Sequence, residues 1–352
     1  MVAPTPPADT RHADIQPGPP DVVADEVRAL LVRLLRGPVA PDASGGDVEE
    51  MRRHSHTLRE AGVPVGEQAD GRYALTEPFE LLDSDAILER LPAQVRARTA
   101  SLELAWVLDS TNSELQRRPL AANGAASVLL AEGQSGGRGR RGKDWSSPLG
   151  AHVYLSLART FGAGWARLGG LSLAAGVATV EALHGLGYDR VRLKWPNDLV
   201  VPAADSSLRK LGGLLVDGGG HQGGPARAVI GVGVNVRMPN RFGDRIEQPW
   251  CDLAGLPVPT PSRSAIAAAI ITHWVSALDS FERSGLGPLL ARYAAVDAIA
   301  GQPVRITSEA GCVDGIAVGL ATDGSLRVRT EQGSERHFHA GEVSVRRIGG
   351  MT

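Results

Sequence analysis

Two short stretches carry most of the chemistry that residue types alone allow. Residues 137–145 read GRGRRGKDW and set Arg138, Arg140, Arg141 and Lys143 among three glycines. Residues 191–200 read VRLKWPNDLV and put Lys194 at the end of a largely apolar strand, ahead of Pro196, Asn197 and Asp198. In the first stretch like charges repel and the glycines raise the entropy lost on ordering, so the loop is costly to fix unless an anion enters it. Arginine forks match phosphate and carboxylate oxygens bidentately, and Trp145 follows to cover something flat. The pattern predicts a phosphate-bearing ligand; the bland alternative is a solvated basic loop. In the second stretch a structural lysine would snorkel to solvent. The functional reading has its ammonium meeting an anion, with Asn197 and Asp198 beside it for a metal, a nucleotide or an amine.

Gly137, Gly139 and Gly142 also satisfy the dinucleotide pattern G-x-G-x-x-G, and Gly137 to Lys143 satisfy most of a P-loop. Both motifs require a helix directly after the glycines, to receive phosphate on its N-terminus. Here DWSSPLGAHVYLSL follows, with Pro148 and Gly150 before another strand and no acid between Asp144 and Glu181 for a ribose. Asp144 also stands where a P-loop needs a hydroxyl for magnesium. Both motifs fail in context. A repeated arginine–glycine RNA-binding tract is disfavoured too, because a single copy lies inside a folded region.

The elements that position these residues follow from periodicity. In 22–37, Val23, Val27, Leu30, Leu31, Leu34 and Leu35 fall at helical spacing before Gly37-Pro38. A second helix is predicted from Asp47, as N-cap, to Gly62, then a hairpin turning at Asp70-Gly71. Helix, helix and hairpin suggest a winged helix over 22–80. The middle region predicts strands at 103–110, 127–133, 152–159, 191–198, 211–218 and 226–238. Helices are expected near 111–118, 165–186 (Leu168, Leu171, Ala175, Ala178 and Leu183 on one face) and 262–284. The glycine-rich 218–226 reads as a turn. Strand pairs on short turns with helices grouped apart argue α+β with a mixed sheet. From 301 on, short strands turning at Glu309-Ala310-Gly311, Asp323-Gly324 and Gln332-Gly333 suggest a small β-barrel.

Composition excludes several classes. The 352 residues are 43% hydrophobic and 22% charged with a formal net charge of −2, so any pull on nucleic acid must come from a local patch. Cys251 and Cys312 form no C-x-x-C pair, which points to neither a disulfide framework nor a zinc site. Residues 1–21 hold six prolines in the first twenty and no apolar run, as a disordered tail would. A soluble, cytoplasmic protein without a membrane partner is expected. The H-x-H pairs His54/His56 and His337/His339 read as surface residues, since i and i+2 share no helix face and the strand pair lacks an acid or cysteine partner.

Five ordered motifs extend the two stretches: DSTN (109–112), Gln134 with GRGRRGKDW, KWPND (194–198), RKLGGLLVD (209–217) and GVGVN (231–235). Together they resemble the biotin protein ligases over about 81–348; the R-R-x-x-G-G-G signature of the related lipoate ligases is missing, though a lipoate ligase-like acyltransferase is the distant alternative. The resemblance implies a class II synthetase-like mixed-sheet catalytic domain over 81–300 and an SH3-like domain over 301–348. It implies biotin and ATP, with Mg2+ carried on the ATP and no protein metal ligand assigned, and transfer of biotin from biotinyl-5′-AMP to a lysine of the biotin carboxyl carrier protein. Residue by residue it implies catalysis by Arg140, Lys194 and Asp198. It implies biotin binding by Ser110, Thr111, Asn112, Gln134, Arg138, Gly139, Arg140 and Lys194. Adenylate binding falls to Gly137, Arg141, Trp145, Asn197, Lys210 and Asn235, with Asn197 and Asp198 orienting magnesium or the acceptor amine. The loop would close over the adenylate, which water would otherwise hydrolyse. A homodimer and operator DNA stay open as partners. Against DNA, residues 1–80 carry 14 acids, 8 arginines and no lysine, so a degenerate winged helix packed on the catalytic domain is the competing reading.

Overall fold

The computed structural model describes residues 25–41, 45–119, 121, 124–162, 164, 168–220, 225–308, 311–341 and 343–348. The expected tail over 1–21, Val23 of the first helix, and the Glu309-Ala310 turn lie outside them. The architecture is mixed α+β around a central mixed sheet.

The chain opens with α1 (Asp25–Leu34), α2 (Gly45–Glu60) and a hairpin of β1 (Val65–Glu67) and β2 (Tyr73–Leu75). Asp47 lies inside the first turn of α2 instead of capping it. Leu30, Leu31, Leu34, Met51, Leu58, Val63 and Tyr73 form a small core of their own, closed by Leu149 from the middle of the chain. Contacts fix this unit to the rest: Leu149 N–H donates to Ala61 O at 2.8 Å, and Arg241 takes both oxygens of Glu60 at 2.6 Å.

Next come α3 (Ser84–Arg90), α4 (Ala93–Arg96), β3 (Thr99–Leu108), α5 (Thr111–Arg117), β4 (Ala126–Gln134), β5 (Val153–Phe161), α6 (Leu171–Gly185), β6 (Arg192–Lys194), β7 (Asp198–Pro202), β8 (Leu208–Gly220) and β9 (Ala226–Val234). The seven strands form one sheet in the order β3-β4-β5-β9-β8-β7-β6, with β3 parallel to β4 and every other pair antiparallel. Two expectations needed correction. The strand predicted over 191–198 breaks at a cis Trp195–Pro196 bond into the hairpin β6–β7, where Asp198 pairs back onto Lys194. The helix predicted from 165 begins at Leu171, after Gly170 in a left-handed conformation (φ 87°). The short α3 and α4 and the later α7 (Asn240–Gly243) carried too few periodic positions to be predicted, whereas α9 (Gly287–Val296), with Leu289, Tyr293 and Val296 buried at helical spacing, was legible but missed.

One sheet face is covered by α6 and by α8 (Arg263–Ser284), capped by Ser262. Among the described residues α8 alone is long and apolar enough to cross a membrane. Yet Ile266, Ile270, Ile271, Trp274 and Leu278 are buried in the main core with Leu155, Leu157, Ile230 and Val232 of the sheet. The last unit is an antiparallel sheet ordered β13-β12-β11-β10-β14, made of β10 (Pro303–Ser308), β11 (Gly311–Leu320), β12 (Leu326–Thr330), β13 (Glu335–Phe338) and β14 (Ser344–Arg347). Its Asp323-Gly324 turn, with Gly324 at φ 84°, accepts the buried Trp195 indole N–H at 3.1 Å. That contact ties the terminal sheet directly behind Lys194.

Candidate active site

The face opposite α6 and α8 is built from small residues. Side chains alternate along a strand, so the GVGVN stretch points Gly231 and Gly233 to this face while Val232 and Val234 enter the core. A Cβ on Gly231 would stand 2.2 Å from Asn112 Oδ1, and one on Gly233 would stand 2.5 Å from the Trp145 ring. The two glycines therefore make room for the DSTN turn and for the tryptophan that ends the arginine loop.

DSTN bridges β3 and α5. Ser110 caps the helix by accepting from Ser113 N–H. Thr111 donates its N–H (2.9 Å) and hydroxyl (3.2 Å) to Gln134 Oε1, while Gln134 Nε2 donates to Ser147 Oγ at 3.1 Å. Ser147 in turn donates to Trp145 O at 3.0 Å, which ties the loop's exit to this network. Asn112 accepts from Ser156 Oγ (2.6 Å) and donates to Leu215 O (3.3 Å) and Asp217 Oδ2 (3.0 Å), so its amide is satisfied within the protein. Among the described residues, the Ser110 hydroxyl proton and one Gln134 N–H are left for a ligand. Ser156, Ser147 and Asp217 went unremarked in the sequence. Ser156 lies inside an apolar strand and gave no signal, whereas Asp217 interrupts LGGLLVDG and could have been noticed. Ser156→Ala would remove the buried hydroxyl that donates to Thr111 Oγ1 and Asn112 Oδ1; a drop in stability of about 1–3 kcal/mol is expected, read from the urea midpoint.

Residues 137–145 form a hairpin rather than a featureless loop. Arg138 bridges Asp144, Gly139 N–H meets Lys143 O at 2.6 Å, and Trp145 N–H meets Gly137 O at 2.8 Å. Arg141 turns the tip in a left-handed conformation (φ 58°) and is exposed with Lys143. Glycine at 137 is required, since a Cβ would meet Ser147 Oγ at 2.6 Å and Trp145 O at 2.7 Å. Residue types alone predict that order in this segment depends on an entering anion; the backbone pairing and the chain's own acceptors supply part of it. Arg138 lies 3.3 Å from Asp217 Oδ2, and Arg140 donates to Asn197 Oδ1 at 3.1 Å and to Ala340 O of the terminal sheet. Burial lowers the pKa of Arg140, with neighbouring Asp198 opposing the shift and Arg141 adding to it.

Asp198 is the hinge of a cation cluster. Its Oδ1 is 2.7 Å from Lys210 Nζ and its Oδ2 4.0 Å from Lys194 Nζ. Burial lowers the Lys194 pKa; Asp198 pulls it back up, while Lys210, Arg346 and Lys143 push it further down. Lys210 Nζ also stands 5.5 Å from the Trp145 ring centroid, a cation–π distance. Arg346 escaped the sequence reading because it lies more than a hundred residues away on β14. Asn235 is drawn elsewhere: its side chain donates to Cys251 O at 3.1 Å and fastens the 250–253 segment beside Lys210. Among the described residues no group of three or more His, Cys, Asp or Glu could hold a metal ion. The arrangement offers several cations on one polar face beside an apolar, helix-capped floor, which suits two anions brought together.

Comparison with known proteins agrees with this chemistry. Residues 104–235 match the family described as Biotin/lipoate A/B protein ligase family, and residues 299–346 match the Biotin protein ligase C terminal domain. The chain is 37% identical over 298 residues to the bifunctional ligase/repressor BirA of Salmonella typhimurium, covering 84% of this chain and 88% of that protein. It is 32% identical over 225 residues to the biotin--[acetyl-CoA-carboxylase] ligase of Mycobacterium tuberculosis, covering 62% of this chain and 79% of that one. In fold it is similar to the biotin protein ligase from Aquifex aeolicus solved with biotin and ATP, with a TM-score of 0.59 and 23% identity over 71% of this chain and 100% of that chain.

Proposed function

The chain belongs to the biotin protein ligase family, and from that premise we propose how its residues divide the reaction. Biotin's carboxylate attacks the α-phosphate of ATP, giving biotinyl-5′-AMP and releasing pyrophosphate. The amine of a carrier lysine then attacks the acyl carbon, forming the amide and releasing AMP. The first step drives one anion onto another, so positive charge must offset their repulsion and stabilise the charge developing on phosphorus.

The observation that carries this reading is the convergence of Arg138, Arg140, Lys194 and Lys210 beside the DSTN turn and Gln134. Arg140 and Lys194 are placed to meet the carboxylate and phosphate oxygens, with Arg138 and Gly139 over biotin. Ser110 and Gln134 would bond the ureido ring, while Thr111 and Asn112 hold that geometry. Trp145 and Lys210 would flank the adenine side, with Gly137 and Arg141 in the hairpin above. The Trp145 indole N–H, buried without a hydrogen-bond partner among the described residues, is a donor suited to a nucleotide acceptor. Asn197 and Asp198 already accept from Arg140 and Lys210, so we read them as positioning those cations. Mg2+ would then enter on the phosphates of ATP. Asn235 supports the segment next to Lys210.

We further read 22–80 as a winged-helix-like unit, 81–300 as a class II synthetase-like catalytic domain and 301–348 as SH3-like, working in the cytoplasm on the biotin carboxyl carrier protein. The purified protein is expected to label that carrier with biotin and magnesium ATP, and to catalyse biotin-dependent exchange of pyrophosphate into ATP; failure of both would overturn the assignment. A second reading, ligase and operator-binding repressor in one chain, is favoured by the ligase/repressor relatives, whose similarity covers 84% of this chain. It is opposed by that unit's excess of acids. Salt-dependent retention by promoter DNA, with and without biotin and ATP, and the accompanying monomer–dimer distribution decide between them.

A further inference from the structure

Two acids beside the arginine hairpin, Asp109 and Asp217, are not equivalent. Asp109, whose carboxylate feels Arg138, is already gripped by both terminal nitrogens of Arg117 at 2.8 and 2.9 Å. Asp217, on β8, is fixed on one side only. Its Oδ2 accepts from Asn112 Nδ2 at 3.0 Å, and Asn112 is itself held by the buried Ser156 and by Leu215 O. The buried Asn112 and Ser156 thus present this carboxylate to Arg138, whose guanidinium lies 3.3 Å from the same oxygen. The Arg138 side chain is 44% exposed and that of Asp217 25%, so the pair is weak enough to exchange partners.

We propose that Asp217 is an internal counter-anion, a positioning residue that holds Arg138 until the anion of a substrate displaces it. It thereby sets both the closure of the 137–145 hairpin and the affinity for the first substrate; the second half of this statement rests on the proposed ligase function. The physical case is competition. Arg138 cannot give its full fork to a ligand carboxylate while sharing it with Asp217, and the fixed negative charge also repels an incoming anion. A neutral residue at 217 that still accepts from Asn112 removes both penalties without dismantling the network.

Trypsin reads the first half directly, because Arg138, Arg140, Arg141 and Lys143 are all cleavage sites and proteolysis follows the open population of a segment. The full-length protein without substrates is digested briefly and cuts within 137–145 are quantified by mass spectrometry. Asp217→Asn is expected to be cut there about two- to fivefold faster than wild type, the scale of a half-exposed ion pair. Asp217→Glu should restore the slow rate. Arg138→Gln breaks the pair from the solvent side and should speed cutting after Arg141 and Lys143, which covers the case in which Asp217→Asn fails to fold. Equal rates in the folded variants would overturn the proposal. By calorimetry, Asp217→Asn should bind biotin about two- to fivefold more tightly; weaker binding, as expected of a merely structural acid, would also overturn it. If no form binds biotin the ligase reading falls, while the protease difference still decides whether Asp217 holds the hairpin.

Discussion

Arg140→Ala is expected to slow biotin-dependent pyrophosphate exchange about 10²- to 10³-fold at saturating substrates, the usual scale for removing one group aimed at developing charge. Its guanidinium is half-buried, where its field is poorly screened, and it is held by Asn197 Oδ1 and Ala340 O instead of a carboxylate. Neutral acceptors orient the fork without forming an ion pair, so it can still pair with a carboxylate and a phosphate. Arg140→Lys should recover only part of the rate, since a point charge cannot span two oxygens bidentately. The loss should fall on kcat rather than KM, because the interaction strengthens as charge moves onto phosphorus. An unaltered exchange rate would remove Arg140 from the reaction.

Lys194→Ala should cost about 10²-fold in the same exchange. The lysine carries a second, independent signature in pH. Burial, together with Lys210, Arg346 and Lys143, holds its pKa below the ordinary 10.5, and Asp198 is the group that opposes the shift. The ammonium is the active form, so activity is full at low pH on this limb and is lost as pH rises through the depressed pKa, earlier than for a free lysine. Asp198→Asn removes the one stabilising carboxylate and should move the alkaline loss to still lower pH. A limb unmoved by Asp198→Asn, or retained in Lys194→Ala, would assign it to another group.

Much of this was legible residue by residue. GRGRRGKDW reads as an anion-handling segment because charge repulsion and glycine entropy are local properties, and the helix expected near 262–284 is found as α8 because helical spacing is local too. What failed was non-local. The 191–198 segment read as one strand because alternation says nothing about a cis bond at Trp195–Pro196 that folds it back on itself. Local spacing was also silent on the partners of Asn112: Ser156, Leu215 and Asp217, from 44 to 105 residues away, take both its N–H groups and one of its two acceptor lone pairs.

Residue type and short-range spacing determined which groups can meet an anion, where helices and strands run, and why this chain handles phosphate and carboxylate without a P-loop. The tertiary structure decided which charges are free to act. Arg140 is hydrogen-bonded to neutral acceptors and so forms no ion pair through them, Arg138 is paired with Asp217, and Lys210 is paired with Asp198. Charge is fixed by a side chain's own chemistry, but its availability depends on what the fold brings within a few ångströms, and those partners lie far away along the chain.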